Sequence, residues 1–352
     1  MGFTKAGFFI WMVIFCSLSF ASGSEFFWIC YYDRSGFKQV MQINNQGRVL
    51  LEPTTLNEGG AFHVPKDLAL SFNGDKTINL WYSTGSGESR SPVYRLVFDK
   101  RTLKTKYIVQ TTVRAYPSQL SQNHQSIANR LAVNVPMDHR SRVVTYPVGS
   151  DGRIAGKGWY LSPPLTYGCI PDFCNGGIGG SGRLAFWFDF HPTNLDRIDM
   201  FIRPLGLLGH PIAPKVILDH ITDSLDFGEP SHFGSADASR ILPGNRMFVV
   251  YVKVQPDLGY KDKILLQAIN PLTGAKRDEA IVLHAIEKTI GQVKIDASGR
   301  FIIFGETDFR TGIGALYFLA LDSNGHASGR VHQLVPAAVG DFDLLRDNDE
   351  TY

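Results

Sequence analysis

The stretch IDASGRFIIFGETDFRTGIGALYFLALDSNG, Ile295 to Gly325, packs two tight turns between three apolar runs. Its parts recur along the chain, and the recurrence decides the fold. The second half, an apolar run closed by a polar turn and followed by another strand, returns as KQVMQINNQGRVLLEP, VYRLVFDKRTLKTKYIVQ, SRVVTYPVGSDGRIAG, IDMFIRPLGLLGHPIAPKVIL, KILLQAINPLTGAKRDEAIVL and ALYFLALDSNGHASGRVHQLV. With Ile43, Phe98, Val148, Ile202, Ile269 and Leu321 as equivalents, the steps are 55, 50, 54, 67 and 52 residues, a fixed period with one insertion.

The first half returns as LALSFNGDKTINLWYSTG, GGSGRLAFWFDFH and RILPGNRMFVVYVKV, with LAVNVPMDHRSRVVTYP as a divergent version. β-Branched and aromatic residues fill the runs, while Asn, Asp, Gly and Ser fill the turns, the chemistry of strands joined by hairpins. No long stretch has a 3.6-residue period; DEAIVLHAIEKTIG is the best helix candidate and reads equally well as strand plus loop. Four-stranded units at a period near 50 predict an all-β fold, a β-propeller of six blades, or seven if the long step hides a decayed unit. The first unit lacks its first strand, and AVGDFDLLRDND near the C-terminus resembles one, so the tail is expected to complete the first blade, with the closing strand running through Leu345.

Thirty-five Gly and 18 Pro suit a turn-rich chain. A formal charge of +2 with scattered basic residues excludes a nucleic-acid or anionic-lipid surface driven by charge. Residues 1–21 read as a signal peptide: Lys5, a 15-residue apolar run to Ala21, and small residues at Ser19 and Ala21. The run is short of the roughly 20 residues a bilayer span needs, so the expectation is export, periplasmic or secreted, without a membrane span; a retained anchor is the alternative. Residues 22–352 then form one propeller domain. In an oxidising compartment Cys169 and Cys174, with four residues between them in YGCIPDFCNGG, are expected to form a local disulfide worth roughly 2 kcal/mol. Cys30, in FFWICYYD, reads as a buried thiol.

YYDRSGFKQVMQINNQGR and VKIDASGRFIIFGETD resemble repeats of the TolB-type, WD40-like β-propeller superfamily of exported bacterial proteins. The resemblance spans essentially the whole mature chain and implies the architecture; the superfamily holds periplasmic scaffolds, peptidase-associated propellers and lactone-handling enzymes, so activity stays open.

In a propeller, the loops leading into each innermost strand gather around the channel mouth. His63, His124 and His232 precede turns of the repeat by 11 to 14 residues, and three imidazoles from three blades would suit a divalent metal, with Asp67, Asn129 and Asp237 as supporting polar groups. The competing reading is of loop histidines bonded to backbone or water. Asp189, His191, Asp196 and Asp199 form a second cluster, in FWFDFHPTNLDRIDMF, with Ca²⁺ or acid–base chemistry as one reading and hairpin structure as the other. CNGGIGGSGR lacks the Lys-Ser/Thr of a phosphate loop and reads as a crowded inner strand. No G-x-S-x-G elbow is present. The sequence thus favours a binding or scaffold module for a protein or cell-envelope partner, requiring no cofactor. The alternative is a metal-assisted hydrolase or lyase acting on a lactone or glycan at the channel mouth.

Overall fold

The computed structural model describes residues 25–33, 35–56, 68–72, 76–83, 91–115, 120–123, 130–137, 140–149, 151, 153–165, 176–191, 193–222, 232–254, 262–286, 289–308, 313–336 and 338–347. They form six four-stranded antiparallel sheets and, among the described residues, no helix. Blade 1 is β1 (Phe26–Asp33), β2 (Lys38–Asn44) and β3 (Val49–Thr55), headed on its inner side by β24 (Ala338–Asp347). Blade 2 is β4 (Leu68–Phe72), β5 (Thr77–Ser83), β6 (Ser91–Asp99) and β7 (Thr105–Ala115). Blade 3 follows with β8 (Leu120–Asn123), β9 (Arg130–Met137), β10 (Arg140–Pro147) and β11 (Trp159–Tyr160). Blade 4 has β12 (Gly176–Gly179), β13 (Leu184–His191), β14 (Asn194–Pro204) and β15 (Val216–Thr222). Blade 5 has β16 (His232–Ala238), β17 (Met247–Val254), β18 (Asp262–Ile269) and β19 (Ile281–Ile286). Blade 6 has β20 (Thr289–Ile295), β21 (Phe301–Asp308), β22 (Ile313–Ala320) and β23 (His332–Val335). The helix candidate is therefore β19 and β20. The six inner strands β4, β8, β12, β16, β20 and β24 touch in that order and return to β4, which closes a six-bladed propeller.

Each core cluster sits between two blades. Phe27, Ile29 and Tyr31 on one face of β1 pack with Phe301, Ile303 and Phe318 of blade 6; Trp28, Cys30 and Tyr32 on the other pack with Leu70, Leu80 and Phe98 of blade 2. A strand buried on both faces needs a continuous apolar run, which is why FFWICYYD does not alternate.

The repeating turn joins the third strand to the outer one. Asn44 Oδ1 accepts from the N–H groups of Gln46 and Arg48, and Asp322 Oδ1 from those of Asn324 and His326, so a side chain substitutes for backbone in the turn. Gly47, at φ 75°, lies against the preceding blade, where a Cβ would stand 2.6 Å from His332 Nε2. The same turn fixes two registers that the sequence reading misplaced. Gly206 N–H bonds His210 O as Asn44 N–H bonds Arg48 O, so Leu205, not Ile202, is the fourth equivalent. LAVNVPMDHRSRVVTYP forms β9 and β10, the second and third strands of blade 3, not its first and second.

The tail pairs antiparallel with β1 from Phe26–Asp347 to Asp33–Ala338, two residues beyond the expected end at Leu345. Those residues matter, because the Asp347 carboxylate accepts from Trp28 Nε1 at 2.7 Å and pairs with Lys100 Nζ of blade 2 at 3.1 Å, all three groups buried. Asp347→Ala removes a carboxylate partner of a buried ammonium together with the acceptor of Trp28 Nε1, and should lower unfolding stability by about 3–5 kcal/mol in urea titration. The double change Lys100→Met with Asp347→Leu should recover most of that loss.

Candidate functional site

An innermost strand has one edge bonded to its blade and one edge facing the axis, so its axis-side N–H groups need other acceptors. Blades 6, 1 and 2 receive them from side chains of the preceding inner strand. Asp237 on β16 accepts from Ala238 N–H at 2.8 Å and from Ile295 N–H on β20 at 3.2 Å. Gln292 on β20 accepts from Phe342 N–H on β24 at 2.7 Å, and Asp343 on β24 accepts from Leu70 N–H on β4 at 2.6 Å. Lys294 Nζ reaches Asp343 Oδ1 at 3.0 Å, so an ion pair runs alongside these bonds. Alternation explains the pattern: Val293 and Ile295 of β20 face blade 5, which leaves Gln292 and Lys294 to face forward.

Burial holds the Asp237 carboxyl up at about 6, opposed by the Lys294 ammonium and reinforced by Asp343. Asp262 at the start of β18 is also raised by burial to about 6, opposed by its bond from Ile290 N–H at 2.8 Å.

Of the expected metal site, Asp237 has this place in the belt. His63, His124, Asp67 and Asn129 lie outside the described residues, and His232 is placed only as the first residue of β16. Asp237 is the next-to-last residue of β16. No group of three metal-ligating side chains occurs among the described residues. Cys169 and Cys174 also lie outside the described residues.

The second cluster belongs to the β13–β14 hairpin. Asp189 and Asp199 are cross-strand partners, and Arg197 Nε pairs with Asp199 Oδ1 at 2.6 Å. Asp199 is fully buried and its Oδ2 has no hydrogen-bond partner among the described residues, which the sequence pattern does not reveal. His191 Nδ1 lies 3.2 Å from Thr193 Oγ1 within the turn. CNGGIGGSGR contains β12, an inner strand as expected: a Cβ on Gly176 would stand 2.4 Å from Phe186 O, and one on Gly179 2.8 Å from Ala238 N of blade 5.

Sequence reasoning missed the outer rim of blades 2 to 4. Tyr107, Ile108 and Val109 on β7, Trp159 and Tyr160 on β11, and Leu207 and Leu208 in the β14–β15 turn are exposed. Arginines tie the three blades together there. Arg95 lies over the Tyr107 ring at 5.6 Å and donates to Asp151 O of blade 3 at 2.6 Å. Arg130 lies over the Trp159 ring at 4.1 Å and donates to Leu208 O of blade 4 at 3.2 Å. Burial pulls both guanidinium groups below their ordinary value.

No family model and no curated protein matches the chain. Solved structures do. A hypothetical selenium-binding protein from Sulfolobus tokodaii is 9% identical with a TM-score of 0.52, over 91% of this chain and 93% of that one. A protein from Lactobacillus plantarum is 13% identical with a TM-score of 0.46, over 92% and 99%. The SapL1 lectin, solved with alpha methyl fucoside, is 12% identical with a TM-score of 0.44, over 89% and 92%. At these identities the likeness bears on the fold alone.

The two raised carboxyls give a pH dependence with a defined sign. Both hold their protons in the folded state up to about pH 6, whereas ordinary aspartates release them near 3.8, so folding takes up protons in that window. Their contribution is fully present below the unfolded value and is lost as pH rises through about 6. Asp237→Asn and Asp262→Asn should each remove part of the stability gained on acidification from about pH 7 to 5, read as urea midpoints against the parent.

Proposed function

We propose that this propeller is an exported binding module that engages a protein or cell-envelope partner through the exposed apolar rim of blades 2 to 4. The observation that carries the reading is a contrast in how side chains are used. The polar groups of β16, β20 and β24 are taken up in joining inner strands, whereas aromatic and aliphatic groups on β7, β11 and the β14–β15 turn meet solvent. Apolar groups gathered on one part of a surface mark interaction sites more often than scattered ones do. Aromatic rings backed by guanidinium groups also match the residue types that dominate protein interfaces. Export rests on residues 1–21 and agrees with the TolB-type resemblance of the repeats.

Two measurements test the reading. Mass analysis of protein recovered from the exported fraction should show a chain starting after Ala21; an intact Met1 there would remove the signal-peptide part. A photo-crosslinking residue at Trp159 or Leu208 should yield one discrete heteromeric product in the envelope or medium, while the same residue at Val282 on blade 5 should not. Products at Val282 and none at blades 3 and 4 would move the partner surface elsewhere.

A further inference from the structure

We infer that β7 is a docking edge for an extended segment of a partner protein, one with an apolar centre and carboxylates at both ends, which adds to blade 2 as a fifth strand. This rests on the binding reading above and names the chemistry of the partner.

β7 is the outermost strand of its sheet and, at 11 residues, the longest outer strand of the six blades, alongside β14 among the longest strands of the chain. Three of the other five outer strands are blunted: β3 carries Pro53, β11 has two residues and β23 has four; β15 and β19 are shorter than β7, at seven and six residues. β7 contains neither proline nor acid. Its centre, Tyr107 to Gln110, pairs regularly with Val97 to Tyr94 between two irregularities in the ladder. On that centre Tyr107, Ile108 and Val109 are 42%, 43% and 40% exposed although they alternate between the two faces of the sheet. The strand therefore presents apolar groups above and below an open hydrogen-bonding edge, the arrangement used in recognition by strand addition.

Charge selects the occupant. Lys104 and Lys106 stand exposed at one end of the strand and Arg114 at the other, with Asp99 the carboxylate paired to Lys106 at 3.4 Å. A second copy of this chain fits poorly, because antiparallel pairing about Gln110 would set Lys106 opposite the Arg114 of the other copy, and like charges directly opposed are unfavourable. A strand carrying Asp or Glu at both ends meets cations at each end in either orientation.

The test uses the mature protein and a fluorescent nonapeptide, Asp-Glu-Val-Thr-Val-Thr-Val-Glu-Asp, with two controls: a Lys-flanked version and an acidic version N-methylated at alternate residues. Anisotropy should show saturable binding of the acidic peptide, weaker by about tenfold or more for the Lys-flanked one. The N-methylated peptide should not bind, and amide-exchange protection should be confined to residues 105–115. The variant Lys104→Glu with Arg114→Glu lies on the exposed surface and should invert the preference between flanks. Equal binding of the N-methylated peptide, protection elsewhere, no binding, or a dimer paired through 105–115 would each overturn strand docking. Crosslinks at Trp159 or Leu208 without peptide docking would leave the rim reading standing and remove only this one.

Discussion

Closure of the ring is the constraint on which everything else depends. Each blade is apolar on both faces, so an open row of blades would leave two terminal faces wet. Pairing of β24 with β1 removes both at once: it completes blade 1, which then packs on blade 6 through Phe27 and Phe301 and on blade 2 through Trp28 and Leu70. The ion pair of Asp347 with Lys100 marks where the closing strand must end. Two charges withdrawn from water return little net stability, but they penalise a slipped tail heavily, since a shift by one residue would bury the same charges apart. The pair therefore reads as a register lock on closure.

The same economy governs the axis. Inner strands turn one edge toward the axis, and the amides of Ile295, Phe342 and Leu70 are met by Asp237, Gln292 and Asp343 from the strand before. At blade 4 the solution is different: Gly176 and Gly179 bring β12 so near its neighbours that no side chain fits. The axis is thus a structural seam where it is polar and a steric one where it is not. Burial along that seam is what lifts Asp237 toward neutral pH.

Much of this was legible in the residues and part was not. The period near 50, the missing first strand and the tail that replaces it were readable, because turn chemistry and double-sided burial leave local marks in sequence. The fourth register was misread because PLGLLGH has Gly206 where four copies have Asn44, Asp99, Asn270 or Asp322, and it lacks the Asp151 that caps the turn of the third copy after Gly149, so no capping side chain labels the turn. Blade 3 was misread for a related reason. Its inner strand LSQN is four polar-leaning residues, while PMDHRSR between β9 and β10 imitates the inner-to-second turn. The belt could not be foreseen, since nothing in a single sequence shows which Asp faces which amide.

The rim was illegible for a geometric reason that also explains why it stands out. Blades diverge with distance from the axis, so an outer strand is covered only where the neighbouring outer strand is long. β11 is two residues, which leaves the blade-3 face of β7 open and exposes Tyr107 and Val109; in sequence TKYIVQTTVRA is indistinguishable from a buried strand. Folding alone would be served by a shorter or proline-bearing β7, as at β3 and β23. A long apolar edge, ringed by cations and left beside a truncated blade, departs from the pattern of its own repeats, and departures from an otherwise consistent design are where function is expected to reside.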